Sequence, residues 1–153
     1  MRKHIEKIDV YIISVLKKIT PSLSRAALFI VFFWFGFLKL FDASPAAPVV
    51  SDLLARMLPF ISYEQFIVIF GLYEMAIGIS FLIPGLERLA IALLVPHIIA
   101  TCMPLVFLPS IAWNGAFVPT FEGQYIIKNL VIIALAFGIA TNLEPLKSNN
   151  AGN

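Results

Sequence analysis

The chain has 153 residues, of which 60% are hydrophobic and only 13% charged, and its formal net charge is +2. A soluble domain carries roughly 25% charged residues, so this composition excludes an ordinary water-soluble protein and indicates an integral membrane protein. The single cysteine, Cys102, excludes an internal disulfide framework, a CxxC redox pair and a cysteine-based zinc site within the chain.

Residues 1–20 alternate apolar and charged side chains in a pattern typical of an amphipathic helix. Because its polar face is basic, we predict that this helix lies in the membrane interface. The alternative is a helix that packs on a partner or on its own bundle. Thr20, Pro21 and Ser22 are then expected to turn the chain into the membrane. The apolar face comprises Ile5, Ile8, Ile12, Val15, Leu16 and Ile19, and the opposite face comprises Lys3, Lys7, Ser14 and Lys18.

Four further stretches are long and apolar enough to cross a bilayer, which takes about 20 mostly apolar residues. They cover residues 24–41, 63–83, 86–108 and 123–142. Since irregular backbone cannot face lipid, each stretch is predicted to be a helix. The predicted fold over 24–142 is therefore all-α, a membrane-embedded bundle of four transmembrane helices. Pro96 and Pro104 each remove a backbone hydrogen bond, which predicts a kinked third span.

Basic residues are concentrated on one side of these spans. The opposite side carries only Arg56 in its loops. Cytoplasmic loops carry the excess of Lys and Arg, so both termini are predicted to be cytoplasmic, with residues 143–153 as a polar cytoplasmic tail. The basic residues that set this orientation are Arg2, Lys3, Lys7, Lys17, Lys18, Arg25, Arg88 and Lys147.

Two longer segments face the other side. Residues 42–62 contain VVSDLLARMLPF, which predicts a short amphipathic helix on the membrane surface. Residues 109–122 are apolar and aromatic, so this loop is expected to fold back over the bundle rather than extend into water.

Four ionisable residues lie within the predicted spans, where their burial is costly, so each is a candidate functional residue. They are Lys39, Glu74, His97 and Lys128, and all fall in the middle or the outer half of the bundle. Glu74 shares a helix face with Gly71 and Gly78, and small residues mark helix–helix contacts in membranes. Glu74 is therefore expected to point into the bundle.

The other three ionisable residues are also expected to face the interior. Lys39 shares a face with Gly36, and Lys128 shares the most polar stripe of the fourth span with Gln124. The four groups lie at similar depth, so we expect them to meet around one point.

Three interpretations of this cluster are open. A structural ion pair would have Glu74 neutralise Lys39 or Lys128. A ligand site would line a pocket for a small hydrophobic or redox-active molecule such as a quinone, bound by Lys39, Glu74, His97, Lys128 and Gln124. A proton or ion path would run through Glu74 and His97.

Several other chemistries are not expected. His97 is the only histidine in a predicted span and His4 lies in the N-terminal extension, so a bis-histidine haem has no second ligand within the bundle. The usual metal-binding clusters, a phosphate-binding glycine loop and a nucleic-acid patch are absent from the sequence. No catalytic residue can be assigned.

Several motifs follow one another in a characteristic order. The first span ends in WFGFLKLF, the second contains FGLYEMAIGISFLIPG, LERLAIALL follows, and the fourth opens with EGQYIIKNLVIIALA. Together they resemble the DoxX-like family of small bacterial integral membrane proteins over about residues 24–142. By position, the family motif residues are Gly36, Lys39, Glu74 and Arg88. The charged extension before Thr20 departs from the short start of the family, and its acidic residue at the start of the last helix corresponds to Glu122, with Gln124 close by.

This resemblance implies a multi-pass protein of the bacterial inner membrane that associates with membrane oxidoreductase systems, including quinone-linked thiosulfate oxidation and oxidative-stress complexes. We therefore expect a small accessory or membrane subunit of a quinone-linked redox system that is non-catalytic alone. A non-catalytic membrane organiser or lipid-binding protein and a small-solute carrier are the alternatives. The expected ligand is a quinone, and the expected partners are membrane lipids and membrane redox proteins. The glycine-rich helix faces leave a homo-oligomer open.

Overall fold

The computed structural model describes residues 2–145. The predicted tail therefore lies outside the described residues from 146 onwards. The chain is mostly helical and contains one short antiparallel hairpin, which confirms the all-α class. The helices are α1 (Arg2–Lys39), α2 (Ala47–Met57), α3 (Tyr63–Leu82), α4 (Glu87–Cys102), α5 (Pro104–Phe107), α6 (Pro109–Ala112), α7 (Phe121–Ile127) and α8 (Asn129–Ala140), and the strands are β1 (Trp113–Gly115) and β2 (Val118–Pro119).

Four helical stretches are long and apolar enough to cross a membrane, as the sequence predicts. They are Arg2–Lys39, Tyr63–Leu82, Glu87–Phe107 and Phe121–Ala140. The last three agree with the predicted spans to within two residues at each end.

The first stretch differs from its prediction, because α1 is a single helix of 38 residues. The predicted turn at Thr20, Pro21 and Ser22 is wrong. A proline inside a helix removes one backbone hydrogen bond without necessarily ending the helix. Here the Thr20 hydroxyl donates to the carbonyl of Leu16 at 2.7 Å, and helical backbone continues on both sides of Pro21.

The hairpin between α3 and α4 is built by Pro84 and Gly85. Gly85 has a φ of 93°, a left-handed conformation that glycine adopts without steric cost. The third predicted span is interrupted at Met103, directly before Pro104, where α4 ends and α5 begins. By contrast, Pro96 lies inside α4, which continues through it.

The segments between the spans are folded against the bundle. α2 confirms the predicted short helix in residues 42–62, and Arg56 at its end donates to the carbonyl of Phe107 at 3.3 Å. In the second loop, Thr120 donates to the carbonyl of Ile111 at 2.5 Å and accepts from the backbone N–H of Gly123 at 3.0 Å. These contacts join the loop to the start of α7, but Phe117 at its tip is 96% exposed, so only part of the loop folds back as predicted.

The hydrophobic core joins the four long helical stretches. α1, α3, α4 and α8 each contribute two fully buried apolar side chains to one cluster, while many large apolar side chains on the same helices face outward. The cluster comprises Leu28, Phe32, Ile77, Phe81, Ala90, Leu94, Ala136 and Ile139.

Candidate functional site

A contact between glycines brings α1 and α3 together next to the candidate site. A side chain added at Gly36 would place its Cβ 2.5 Å from the carbonyl oxygen of Gly71, and one added at Gly71 would lie 2.7 Å from that of Gly36. No residue with a Cβ fits such a close backbone approach, which is the role small residues play in membrane helix pairs. Lys39 and Glu74 lie one helical turn beyond these glycines, so the glycine contact sets the spacing of the two charged side chains.

Three of the four predicted interior residues meet in one cluster, which we call the triad: Lys39, Glu74 and His97. The Lys39 ammonium donates to Glu74 Oε2 at 2.5 Å, and His97 Nε2 lies 3.0 Å from Glu74 Oε1. All three residues are buried, with at most 6% of their surface exposed. Both carboxylate oxygens of Glu74 are therefore occupied, and a single side chain on α3 connects α1 to α4.

Aromatic rings enclose the imidazole of His97. The Phe70 ring is stacked on it, with 5.2 Å between centroids and 7° between planes, and the Phe32 ring meets it edge-on at 5.1 Å. Tyr73 lies at 6.4 Å on a third side, and the Lys39 ammonium lies 5.6 Å from the centroid of Phe70. The triad thus sits in an apolar, ring-lined environment where electrostatic interactions are much stronger than in water.

One polar atom of the triad is unpaired. His97 Nδ1 is buried and has no hydrogen-bond partner among residues 2–145. In the neutral form of an imidazole, one ring nitrogen donates and the other accepts. An ionised carboxylate accepts only, so His97 carries its proton on Nε2. Nδ1 is then a bare acceptor facing the interior, a condition that typically costs about 1–3 kcal/mol.

Polar groups on either side of Pro96 in α4 extend from the triad. Tyr73 donates through its hydroxyl to the carbonyl of Leu93 at 2.6 Å, in the turn that precedes Pro96. Prolines disturb the backbone ladder of that turn, and neighbouring helices in membrane proteins often satisfy the carbonyls they free. Thr101 donates to the carbonyl of His97 at 3.0 Å and accepts from Asn129 Nδ2 at 3.3 Å. This chain of contacts ties α8 to the backbone of His97.

Lys128 and Gln124 do not join the cluster, so the prediction that four ionisable groups meet at one point is wrong for the fourth span. Both side chains are exposed. The prediction assumed one continuous helix, whereas the helix is interrupted at Lys128, between α7 and α8. The residue of this span that does reach α4 is Asn129, which sequence reasoning missed, although its amide within an apolar run was the available signal.

A second buried ion pair lies toward the other end of α1. Arg25 Nη2 donates to Glu87 Oε1, which joins α1 to the first turn of α4. The Glu87 side chain is 7% exposed and that of Arg25 is 22% exposed. The sequence analysis treated Arg25 only as an orientation signal and did not consider Glu87. The neighbouring motif residue Arg88 is not part of this pair, since its Nη2 donates to the carbonyl of Glu144.

Within residues 2–145 there is no group of three or more His, Cys, Asp or Glu side chains that could hold a metal ion. Two open surface grooves lie away from the triad. One is lined by Ile13, Leu16, Lys17, Thr20, Pro21 and Asn142, and the other by Arg88, Ile91, Ala140, Leu143, Glu144 and Pro145.

No known protein family, curated protein or solved structure matches the chain. The resemblance to the DoxX-like family therefore stays a prediction from short motifs. Of its motif residues, Gly36, Lys39 and Glu74 lie together at the α1–α3 contact, while Arg88 lies at the hairpin end of α4.

Proposed function

We propose that this chain is a DoxX-like protein of the bacterial inner membrane, an accessory or membrane subunit of a quinone-linked redox system. In this proposal the triad binds the head group of a hydroquinone. The observation that carries it is the buried, unpartnered Nδ1 of His97 beside a neutralised Lys39–Glu74 pair, enclosed by aromatic rings.

Membrane placement rests on the outward surface of the helices. Four stretches are long enough to cross, and large apolar side chains such as Ile69, Leu130 and Val131 are at least 66% exposed. Water would not tolerate so large an apolar surface on a monomer, whereas lipid does. The basic residues at the N-terminus and Arg88 after the Pro84–Gly85 hairpin support a cytoplasmic location of both termini.

The ligand class follows from the polarity of the triad. A purely structural ion pair accounts for Lys39 and Glu74, but it gives no reason to leave an acceptor nitrogen of His97 unpaired in the interior. A ring hydroxyl is a donor that would satisfy Nδ1, and a planar ring suits surroundings formed by the aromatic rings of Phe32 and Phe70. The reduced, hydroxyl-bearing form of a quinone is therefore favoured over the oxidised form, which offers only acceptors.

This site handles protons rather than electrons. His97 Nδ1 accepts a proton from the ring hydroxyl, and Glu74, through Nε2, stabilises the imidazolium that forms. Oxidation of a hydroquinone to a quinone releases two protons and two electrons; His97 takes one proton, and we assign the second proton and both electrons to acceptors on a partner protein. Because the triad is closed, entry of the ligand requires the surrounding aromatic side chains to change rotamer.

Native mass spectrometry of the purified protein, followed by titration with a short-chain hydroquinone, tests the proposal. We expect one bound quinone or hydroquinone per chain. His97→Phe keeps a ring in the same place and removes Nδ1, so it should weaken hydroquinone binding about tenfold, the upper value of one hydrogen bond.

The matched control is Lys128→Gln, an exposed charge that should leave binding unchanged. Equal affinity of His97→Phe and the unaltered chain would contradict the ligand site. A protein that carries only loosely held phospholipid and shows no saturable hydroquinone binding would favour a structural triad.

The alternative function, a non-catalytic membrane organiser or lipid-binding protein, is favoured by a different observation. Every residue of segment 2–20 of α1 is exposed, so this part of the helix contributes nothing to the bundle core.

A further inference from the structure

The first half of α1 extends away from the bundle. We call residues 2–20 the N-terminal arm. All of them are exposed, and the first buried residue of α1 is Ser24. At 1.5 Å per residue the 38-residue helix is about 57 Å long, whereas the hydrocarbon core of a bilayer is about 30 Å thick. If the part of α1 that packs in the bundle crosses the membrane, the arm lies beyond it.

The arm is unsuited to water on one face and suited to an anionic surface on the other. Its exposed large apolar side chains number nine, and six of them share one face of the helix. The rest of the circumference carries five basic side chains against two acidic ones, a net charge of +3 with His4 neutral. The nine are Ile5, Ile8, Val10, Tyr11, Ile12, Ile13, Val15, Leu16 and Ile19.

The junction between the arm and the bundle can bend. Pro21 lacks the N–H that would bond to the carbonyl of Lys17, and the Thr20 hydroxyl bonds back to the carbonyl of Leu16 at 2.7 Å. Hydroxyl back-bonding of this kind bends helices. One of the open grooves borders this junction, lined on the arm side by Leu16 and Thr20 and on the bundle side by Asn142. The junction therefore has both a weakened backbone ladder and free space beside it.

In the structure α1 continues through Pro21 without a break. We propose that at a membrane the N-terminal arm bends at this weakened Thr20–Pro21 junction and docks its apolar face on the anionic lipid surface of the membrane that holds the bundle. A helix with an apolar face and a lysine-rich polar face binds in the interface plane through both features. This inference rests on the proposed membrane placement and is independent of any ligand of the triad.

Charge favours lipid over a second copy of the chain as the occupant of this face. Two arms projecting from the same membrane would run parallel and bring two segments of net charge +3 together, which is unfavourable. The apolar face is also shorter than the about three to four heptads that a coiled coil needs. Anionic headgroups instead attract each basic residue near the surface.

Spin labels on the two faces of the arm test this docking in the intact protein. Ile12→Cys lies on the apolar face and Ser14→Cys on the polar face, and each is combined with Cys102→Ala, which removes the only native cysteine. The protein is inserted in nanodiscs of phosphatidylglycerol or of phosphatidylcholine. Power saturation then compares accessibility to oxygen, which partitions into lipid, with accessibility to a water-soluble nickel chelate.

In phosphatidylglycerol we expect the label at position 12 to be accessible to oxygen and the label at position 14 to the nickel chelate. Lys3→Gln should shift the equilibrium of docked to undocked arm about fivefold toward water, and Glu6→Gln, its matched control, should shift it the other way. Pro21→Ala restores the missing hydrogen bond and should move position 12 toward water. The arm has no buried residue, and Pro21 and Cys102 are only partly buried, so these variants leave the bundle folded.

Three results would overturn the inference. Both labels in water in phosphatidylglycerol discs would show an undocked arm. Spin–spin broadening at position 12 that grows with the number of copies per disc would assign the face to a second copy. If the oxygen accessibility of position 12 is unchanged in Pro21→Ala, Pro21 does not act as a hinge. A protein that fails to enter nanodiscs would instead contradict the membrane placement, a result separate from the other three.

Discussion

The two buried charge clusters of this bundle share α1 and differ in what surrounds them. The triad and the Arg25–Glu87 pair lie fourteen residues apart, about 21 Å along the helix. Each leaves one buried nitrogen without a hydrogen-bond partner among residues 2–145, His97 Nδ1 in the triad and Arg25 Nη1 in the pair. The triad is enclosed by aromatic rings from α1 and α3, whereas the Arg25 side chain is 22% exposed.

This difference shows that a buried charge pair is not by itself a sign of a site. Arg25 lies at the start of the part of α1 that packs in the bundle, where part of its side chain reaches the surface, so its pair is explained as a helix clamp. Lys39 and Glu74 have no such access, and replacing a closed pair by apolar residues is often neutral for stability. The triad differs because it also contains an unpaired acceptor, His97 Nδ1, in an interior lined by aromatic rings. A helix clamp does not need such an acceptor.

Removal of one triad charge should have the largest effect. Glu74→Ala leaves the Lys39 ammonium buried and unpaired, and should lower the free energy of unfolding by about 3–5 kcal/mol. Titration with SDS in mixed micelles, followed by circular dichroism, measures this change in the free energy of unfolding.

The double variant Lys39→Met, Glu74→Leu sharpens the comparison. Because it removes both charges, it should regain most of that stability while losing hydroquinone binding. If Glu74→Ala alone costs less than 1 kcal/mol, water reaches Lys39 and the triad is not closed, contrary to the structure.

The glycine contact that positions the triad should give the next largest effect. A Cβ at Gly71 would lie 2.7 Å from the Gly36 carbonyl oxygen and 2.9 Å from Lys39 Cβ, so Gly71→Ala must separate α1 from α3. We expect a loss of about 1–3 kcal/mol, typical of overpacking. The same titration measures it.

Gly138→Ala is the matched control, since a Cβ there meets nothing within 4 Å among the described residues. Its stability should be equal or slightly higher, because alanine favours helix over glycine by up to about 1 kcal/mol. Equal losses in both variants would show that the α1–α3 contact does not depend on glycine.

Sequence reasoning predicted the four long helical stretches and all three residues of the triad for simple physical reasons. Long apolar runs ended by Pro84–Gly85 and interrupted at Pro104 fix the number of helices, and an ionisable residue next to glycines, as at Glu74, indicates an interior position. Predictions of which side chains share a helix face were wrong where they assumed an uninterrupted helix. The interruption at Lys128 lies where no proline or glycine predicts it, and Pro21, which reads as a breaker, lies inside α1.

The Arg25–Glu87 pair was missed because charges at the ends of spans are ordinarily read as orientation signals. It should also give the smallest effect of the three stability tests. Glu87→Gln keeps a hydrogen-bond acceptor for Arg25 and removes the charge, so we expect a loss of about 1 kcal/mol in the SDS titration. Hydroquinone binding should be unchanged, because the pair lies about 21 Å from Lys39 along α1. If Glu87→Gln lost as much stability as Glu74→Ala, Arg25 would be as inaccessible to solvent as Lys39. Only the aromatic rings around the triad would then distinguish a ligand site from a helix clamp.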